Sequence, residues 1–292
     1  MDGWFFFEVS LAGLGAGGLY VLAALAFVIV YKATRVVNIA IGEFLMMGAY
    51  LFYAFAADWQ WPIWTAIAAA LLASGLLGAA VERLAIRPML GESPISVFMV
   101  TVGLASIAVG VVELVWTADQ RRLPEFFPRA PVMLGEAFVA SKVFYGFWVA
   151  VGLSLAVLAL FRFWRGGVAL RATASDQGAA YAMGINVPRV FSLAWAAAGV
   201  LAAVAGIVVG SIGGISSSMG TFGLSVLVVV IVGGLDSVAG ALVAGVLIGL
   251  LEAWAGAYLG GEYKLLATFV VLVAALMVRP YGLFGTRDIE RL

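Results

Sequence analysis

Three glutamates, Glu43, Glu113 and Glu252, stand inside or at the edge of long apolar stretches, where a carboxylate is hardest to place. A charged side chain at the centre of a membrane-inserting helix costs about 2.5–3.5 kcal/mol. Each must therefore face protein interior, hold a proton or lie near an interface. Two readings apply to each: a polar lining or gate contact in a transport pathway, or interhelical hydrogen bonding that fixes packing. Glu43 adjoins Gly42 and follows Asn38, where the apolar pattern is interrupted, and reads as a pathway residue. Glu113 and Glu252 read as structural. None of the three belongs to a catalytic or metal constellation. The chain has no His and no Cys, which excludes a Ser-His-Asp triad, a His proton relay, thiol chemistry, disulfides and thiolate metal sites. Acids scattered over separate segments without metal-ligand spacing do not assemble an enzyme site. Lys32, Lys142 and Lys264 are the lysines of the chain and none follows a glycine, so there is no G-x-x-x-x-G-K-[ST] loop to cradle ATP phosphates. A formal net charge of +0 offers nothing to nucleic acid. A transport subunit without cofactor of its own is expected, not an enzyme.

The elements that must carry these residues follow from composition. Of 292 residues, 64% are hydrophobic and 11% charged, against about 25% charged in soluble domains. Such a chain cannot cover a water-facing surface; its solvent is lipid. Apolar stretches of roughly 20 residues predict helices near 11–31, 38–57, 62–81, 94–116, 143–161, 191–210 and 238–258, a shorter one near 224–234 and a last one near 265–278. The expected fold is all-α, a polytopic transmembrane bundle of about 8–10 membrane segments including broken or half helices. It occupies residues 1–292 as one domain. Asp2 and Glu8 precede the first span with no Lys or Arg, so a cleavable signal peptide is not expected and the first helix should be retained.

Lys and Arg distribution sets the orientation. Alternate gaps hold Lys32 and Arg35, then Arg83 and Arg87, then Arg162, Arg165, Arg171 and Arg189, then Arg279, Arg287 and Arg291. The opposite gaps hold Arg121, Arg122, Arg129, Lys142 and Lys264, most of them in the long gap 117–142. The bias puts the C-terminus and the 162–190 loop in the cytoplasm and the N-terminus outside, and requires the short 224–234 segment to cross. Asn38, Gly42, Glu43, Gly233 and Gly234 mark interruptions of the spans, and non-helical backbone at membrane depth is tolerated only against protein or a water-filled cavity. They are candidates for a translocation pathway or gate; close packing of small residues is the competing reading. LLASGLLGAAVE (71–82) also echoes ALVAGVLIGLLE (241–252), matching at Leu72/Leu242, Gly75/Gly245, Leu77/Leu247 and Glu82/Glu252. The orientation runs these two helices in opposite directions, as an inverted repeat would require; coincidence within Ala/Leu/Gly-rich sequence is the competing reading.

The 162–190 gap carries local signals of its own. Ser175 or Asp176 can cap a short helix, Gly184 can end it, and Pro188 prevents its continuation. Ala179, Ala180, Tyr181 and Met183 are then available as contacts, suited to a groove on a partner protein.

Asp176 to Gly184 resembles the cytoplasmic coupling signature of ATP-binding-cassette importer permeases, a Glu-Ala-Ala-xxx-Gly pattern. Here it is Gly178-Ala179-Ala180-xxx-Gly184, with glycine in place of the usual acid and Asp176 two residues earlier as a substitute. GLGAGGLYVLAALAFVIVYKATRVVNIAIGEFLMMGAY (13–50), ATASDQGAAYAMGINVPRV (172–190), VGGLDSVAG (232–240) and RPYGLFG (279–285) are similar, in order, to the branched-chain amino acid permease family, in its shorter type. The resemblance implies a bacterial inner-membrane importer subunit working with two cytoplasmic ATPases that carry ATP and Mg, a second related permease and a periplasmic binding protein. Relatives that carry urea, short amides or other amino acids keep the cargo open. An ion-coupled secondary transporter using the intramembrane glutamates is the alternative outside this class.

Overall fold

The computed structural model describes residues 3–135 and 137–286; Asp2, which enters the signal-peptide argument, and Arg287 and Arg291, which enter the orientation argument, lie outside the described residues. Eleven helices follow in order among the described residues: α1 (Gly3–Thr34), α2 (Ile41–Tyr53), α3 (Ile63–Val81), α4 (Pro94–Trp116), α5 (Ser141–Phe163), α6 (Arg165–Ser175), α7 (Gln177–Ala182), α8 (Val187–Gly213), α9 (Phe222–Gly233), α10 (Val238–Tyr258) and α11 (Tyr263–Val278). Six of them, α1, α3, α4, α5, α8 and α10, are long and apolar enough to cross a bilayer, and α9 and α11 are shorter apolar helices. α2 is prolonged to Asp58 by one wider turn. The fold is the polytopic helical bundle that the composition requires.

Burial sorts the helices. α1 is hydrophobic all round, as a central helix must be, and 89% of its most apolar window is buried, against 17% for α4 and 22% for α5. Trp4, Phe5, Phe6 and Phe7 at the start of α1 remain exposed, the placement expected of aromatic anchors at a membrane interface. Small residues bring backbones together: a Cβ on Gly13 would meet Ala253 at 2.9 Å, and one on Gly17 would meet the Gly245 carbonyl at 3.0 Å. Rising numbers on α1 against falling numbers on α10 make the pair antiparallel. α3 and α8 repeat the arrangement, Gly75 lying against Val200 and Ala196 and Gly78 against Trp195. The third helix of α1–α4 thus packs on the first of α8–α11, and the third of α8–α11 on the first of α1–α4. That exchange relates the two sets of helices as paired repeats, and it places the echoed glycines Gly75 and Gly245 in equivalent seams.

The structure departs from the sequence expectation at several junctions. α1 begins at Gly3 rather than near 11, and α2 begins at Ile41 rather than 38. Arg35 adopts φ 57°, and the chain from there to Ala40 is not helical. The 117–142 gap contains a short hairpin of strands β1 (Val132–Leu134) and β2 (Ala137–Val139), paired antiparallel. The 162–190 gap holds two helices, α6 and α7, not one, and α8 starts at Val187 with Pro188 in its first turn, where proline's missing N–H is harmless.

Candidate functional site

The breaks before α2 and before α9 come together. The Asn38 side-chain oxygen accepts the Ala40 N–H (3.1 Å), a local turn that replaces helical pairing. The Ile39 N–H reaches Thr101 Oγ1 on α4 at 3.3 Å, so the break is stitched to a neighbouring helix. From the other side, a turn at Ser217–Thr221 leads into α9. The backbones of Gly42 and Gly223 then touch: a Cβ on Gly42 would lie 2.9 Å from the Gly223 Cα. Here glycine serves close packing as well as the break. Beside this contact is a cavity of about 190 Å³ lined by Asn38, Ile39, Glu43, Gly220, Leu224 and Leu227, among others. Glu43 is half-buried and also borders an apolar cavity of about 220 Å³ towards α3 and α4, lined by Phe44, Leu77 and Leu104. Among the described residues its carboxylate accepts no side-chain hydrogen bond.

Gly233 and Gly234 lie elsewhere, in a packing knot. A Cβ on Gly233 would meet the Gly240 carbonyl carbon at 2.5 Å, and Gly234, at φ 109°, would meet Gly285. The Leu283 N–H donates to the Val232 carbonyl (2.8 Å) and the Phe284 N–H to the Gly233 carbonyl (3.0 Å). Asp236 accepts both the N–H and the hydroxyl of Thr286 (3.2 and 2.5 Å). The glycine turn thus clamps the RPYGLFG tail, and neither glycine borders the cavity that holds Asn38 and Glu43. As pathway candidates the two glycines are separated from the other three.

At the end of the molecule that carries α6 and α7, local chemistry fixes the protruding segment. Asp176 caps α7, its side chain accepting the Ala179 N–H at 2.9 Å. Gly184, at φ 84°, stops the helix, with the Ile185 N–H closing on the Ala180 carbonyl at 3.0 Å. Gly178 and Ala179 are exposed, Tyr181 is 72% and Met183 84% exposed. Ala180 is buried, 4% exposed, so it anchors α7 and is not available to a partner. Sequence reasoning missed what holds this end to the bundle. Glu82, fully buried at the end of α3, accepts two bonds from the Arg87 guanidinium (3.0 and 2.8 Å) and one from the Ser192 hydroxyl (2.7 Å). The same guanidinium donates to the Pro188 carbonyl (3.0 Å), and Arg35 donates to the Ala174 carbonyl (3.3 Å). Their only sequence signal was Glu82 in the internal echo.

Glu252 and Glu113 have opposite surroundings. Glu252 is buried and accepts the hydroxyls of Tyr20, Ser225 (3.2 Å) and Thr268 (2.6 Å), which joins α1, α9, α10 and α11. Glu113 is exposed on α4 and makes no side-chain hydrogen bond among the described residues; the expected interhelical bond is not formed within this chain.

A bundle of apolar helices with reciprocally packed halves, broken spans meeting at a cavity and a capped helix projecting from one end has the form of a polytopic membrane transport protein. The chain belongs to the branched-chain amino acid transport system permease component family, whose model matches residues 9–276. It is 30% identical over 303 residues to the high-affinity branched-chain amino acid transport system permease protein LivH of Salmonella typhimurium, covering 99% of this chain and 98% of the relative. It is 27% identical over 299 residues to the corresponding permease protein BraD of Pseudomonas aeruginosa, covering 96% of each. Among solved structures, PsaBC from Streptococcus pneumoniae in complex with Fab superposes with a TM-score of 0.53 over 96% of this chain and 94% of that one. At 12% identity that likeness concerns the fold alone.

Proposed function

We infer that this chain forms one wall of the passage in a bacterial inner-membrane importer of branched-chain amino acids, powered by two separate cytoplasmic ATPases. A second permease completes the passage, and a periplasmic binding protein delivers the cargo. The observation that carries the reading is α7. It is a capped helix whose aromatic and thioether side chains, Tyr181 and Met183, stand out from the bundle at one end. A capped helix presenting exposed apolar side chains is suited to a groove on another protein. The chain has no phosphate-binding loop, so hydrolysis belongs to the protein that grips this projection. Cargo is assigned from the relatives, which are named for branched-chain amino acid transport.

Orientation supports the same reading. Arg35, Arg87, Arg189 and Asp176 gather at the end bearing α6 and α7, together with Arg162, Arg165 and Arg171. Basic enrichment marks the cytoplasmic side, which puts α7 within reach of an ATPase and the C-terminus on that side. The exposed faces of α4 and α5 leave room for lipid and for a second permease. The natural lack of cysteine gives a clean test. With Met183→Cys in the complex expressed with its ATPases, oxidative crosslinking is expected to join this chain to an ATPase carrying cysteines around its surface groove. Crosslinks to lipid-directed probes alone, or none to the ATPase, would overturn the assignment.

A further inference from the structure

Between the two broken spans lies a cavity with few polar side chains, Asn38 and Glu43 among them. Asn38 is 2% exposed. Its oxygen is spent on the Ala40 N–H, so the group that Asn38 can offer a ligand in the cavity it lines is its NH2. Glu43, on the same wall, is half-buried and has no basic partner within ion-pair distance among the described residues. Both groups come with the first turn of α2, whose N-terminal end carries partial positive charge. Ile39, beside Asn38, and Leu224 and Leu227 on α9 make the rest of the lining largely apolar. The site lies part-way along the spans and opens at the side of the bundle, where Leu224 is 46% exposed: Ile39 is tied to Thr101, seven residues into α4, about 10 Å from that helix's start at 1.5 Å per residue. A volume of about 190 Å³ holds the equivalent of roughly six waters, the scale of one amino acid and too small for a peptide.

We propose that this cavity is a transient binding site for a zwitterionic aliphatic α-amino acid on its way through the permease. The substrate ammonium is met by the Glu43 carboxylate, its carboxylate by the Asn38 amide NH2, and its side chain by Leu224 and Leu227. An ammonium alone would leave the Asn38 amide unmatched; a carboxylate alone would be repelled by Glu43. Discontinuous helices placing such groups at membrane depth are the general device by which transporters hold small charged cargo. The glycines explain themselves in the same terms. Gly42 and Gly223 let the two half-helices approach until one cavity serves both. The proposal rests on the reading of the chain as an amino acid importer and adds the groups that recognise the cargo inside the membrane.

The chain's lack of cysteine makes Leu224→Cys a single reporter on the cavity wall. In the assembled transporter, maleimide labelling of Leu224→Cys is expected to slow at least threefold with leucine during ATP turnover, and not with leucinamide or N-acetylleucine, which each lack one charge. Adding Glu43→Gln or Asn38→Leu should remove the protection, and Glu43→Asp should restore part of it. Thr221→Trp, which fills the cavity without touching either polar group, should abolish leucine uptake while leaving ATP hydrolysis in place. Equal labelling with and without leucine, or equal protection by leucinamide, would overturn the site. Failure of the importer reading looks different: leucine uptake by the unsubstituted transporter would then not depend on ATP.

Discussion

Glu82 and Glu252 hold matched positions in the internal echo, both are buried, and they neutralise the penalty of burial by different means. Glu82 has a guanidinium: Arg87 forks onto it at 3.0 and 2.8 Å. Removing one member of a buried ion pair leaves the other uncompensated, a loss of about 3–5 kcal/mol. Because the Arg87 side chain is 33% exposed, Glu82→Ala should fall near the low end, about 3 kcal/mol, read as lowered thermal stability of the purified chain. Glu252 has hydroxyls instead, from Tyr20, Ser225 and Thr268. Glu252→Leu strands them in an apolar interior and should cost about 2 kcal/mol or more, whereas Glu252→Gln keeps an acceptor and should cost less. Glu113→Gln, on an exposed face, should stay within about 0.5 kcal/mol in the same measurement. In uptake assays the order reverses around Glu43: Glu43→Gln should reduce transport well below Glu113→Gln, and equal rates would remove the distinction between the two sites. The intramembrane acids were visible in the sequence because charge in an apolar run is rare. Their partners were not, since Tyr20 lies 232 residues from Glu252 and Ser192 lies 110 from Glu82, and no local pattern encodes such pairings.

Among the elements, α7 shows how far local chemistry can be read. Asp176 as cap, Gly184 as stop and Pro188 at the start of the next helix act through neighbours within a turn, and each does in the structure what its residue type dictates. Gly184→Trp forces a bulky residue into φ 84°, a conformation costing about 1–2 kcal/mol per non-glycine residue, and deletion of 176–184 removes the projection entirely. Both should abolish ATP-coupled uptake while membrane insertion, followed by fractionation, remains normal; normal uptake at normal expression would show the segment to be dispensable. α6 was missed for the opposite reason. Gly166 and Gly167 argue against a helix by propensity, yet a Cβ on Gly167 would collide with the Phe161 backbone at 2.6 Å. The glycines are there so that α6 can fold back over the end of α5, a tertiary requirement that overrides propensity. The start of α2 was misplaced similarly, because Asn38 turns the chain through its own side chain and Thr101 on another helix completes the pairing.

At the scale of the whole molecule, the swapped packing of α1 on α10 and α3 on α8 interlocks two halves whose broken spans meet at Gly42 and Gly223. The bundle class was legible from composition, since a chain that is 64% hydrophobic can fold only in lipid. The swap surfaced only as four matched positions in two helices, because small residues in a helix seam are interchangeable and erase the sequence trace of symmetry. In the proposed function α7 is where the ATPase stroke enters; Arg35 ties Ala174 of the preceding helix, and the Glu82–Arg87 pair ties Pro188 of the following one, to the bundle. The central claim is that the stroke comes from ATP hydrolysed by other subunits, and leucine uptake into vesicles containing the assembled transporter tests it most directly. The account predicts uptake that requires ATP and the binding protein and persists when ionophores dissipate ion gradients. Uptake that survives ATP removal and collapses with ionophores would contradict it.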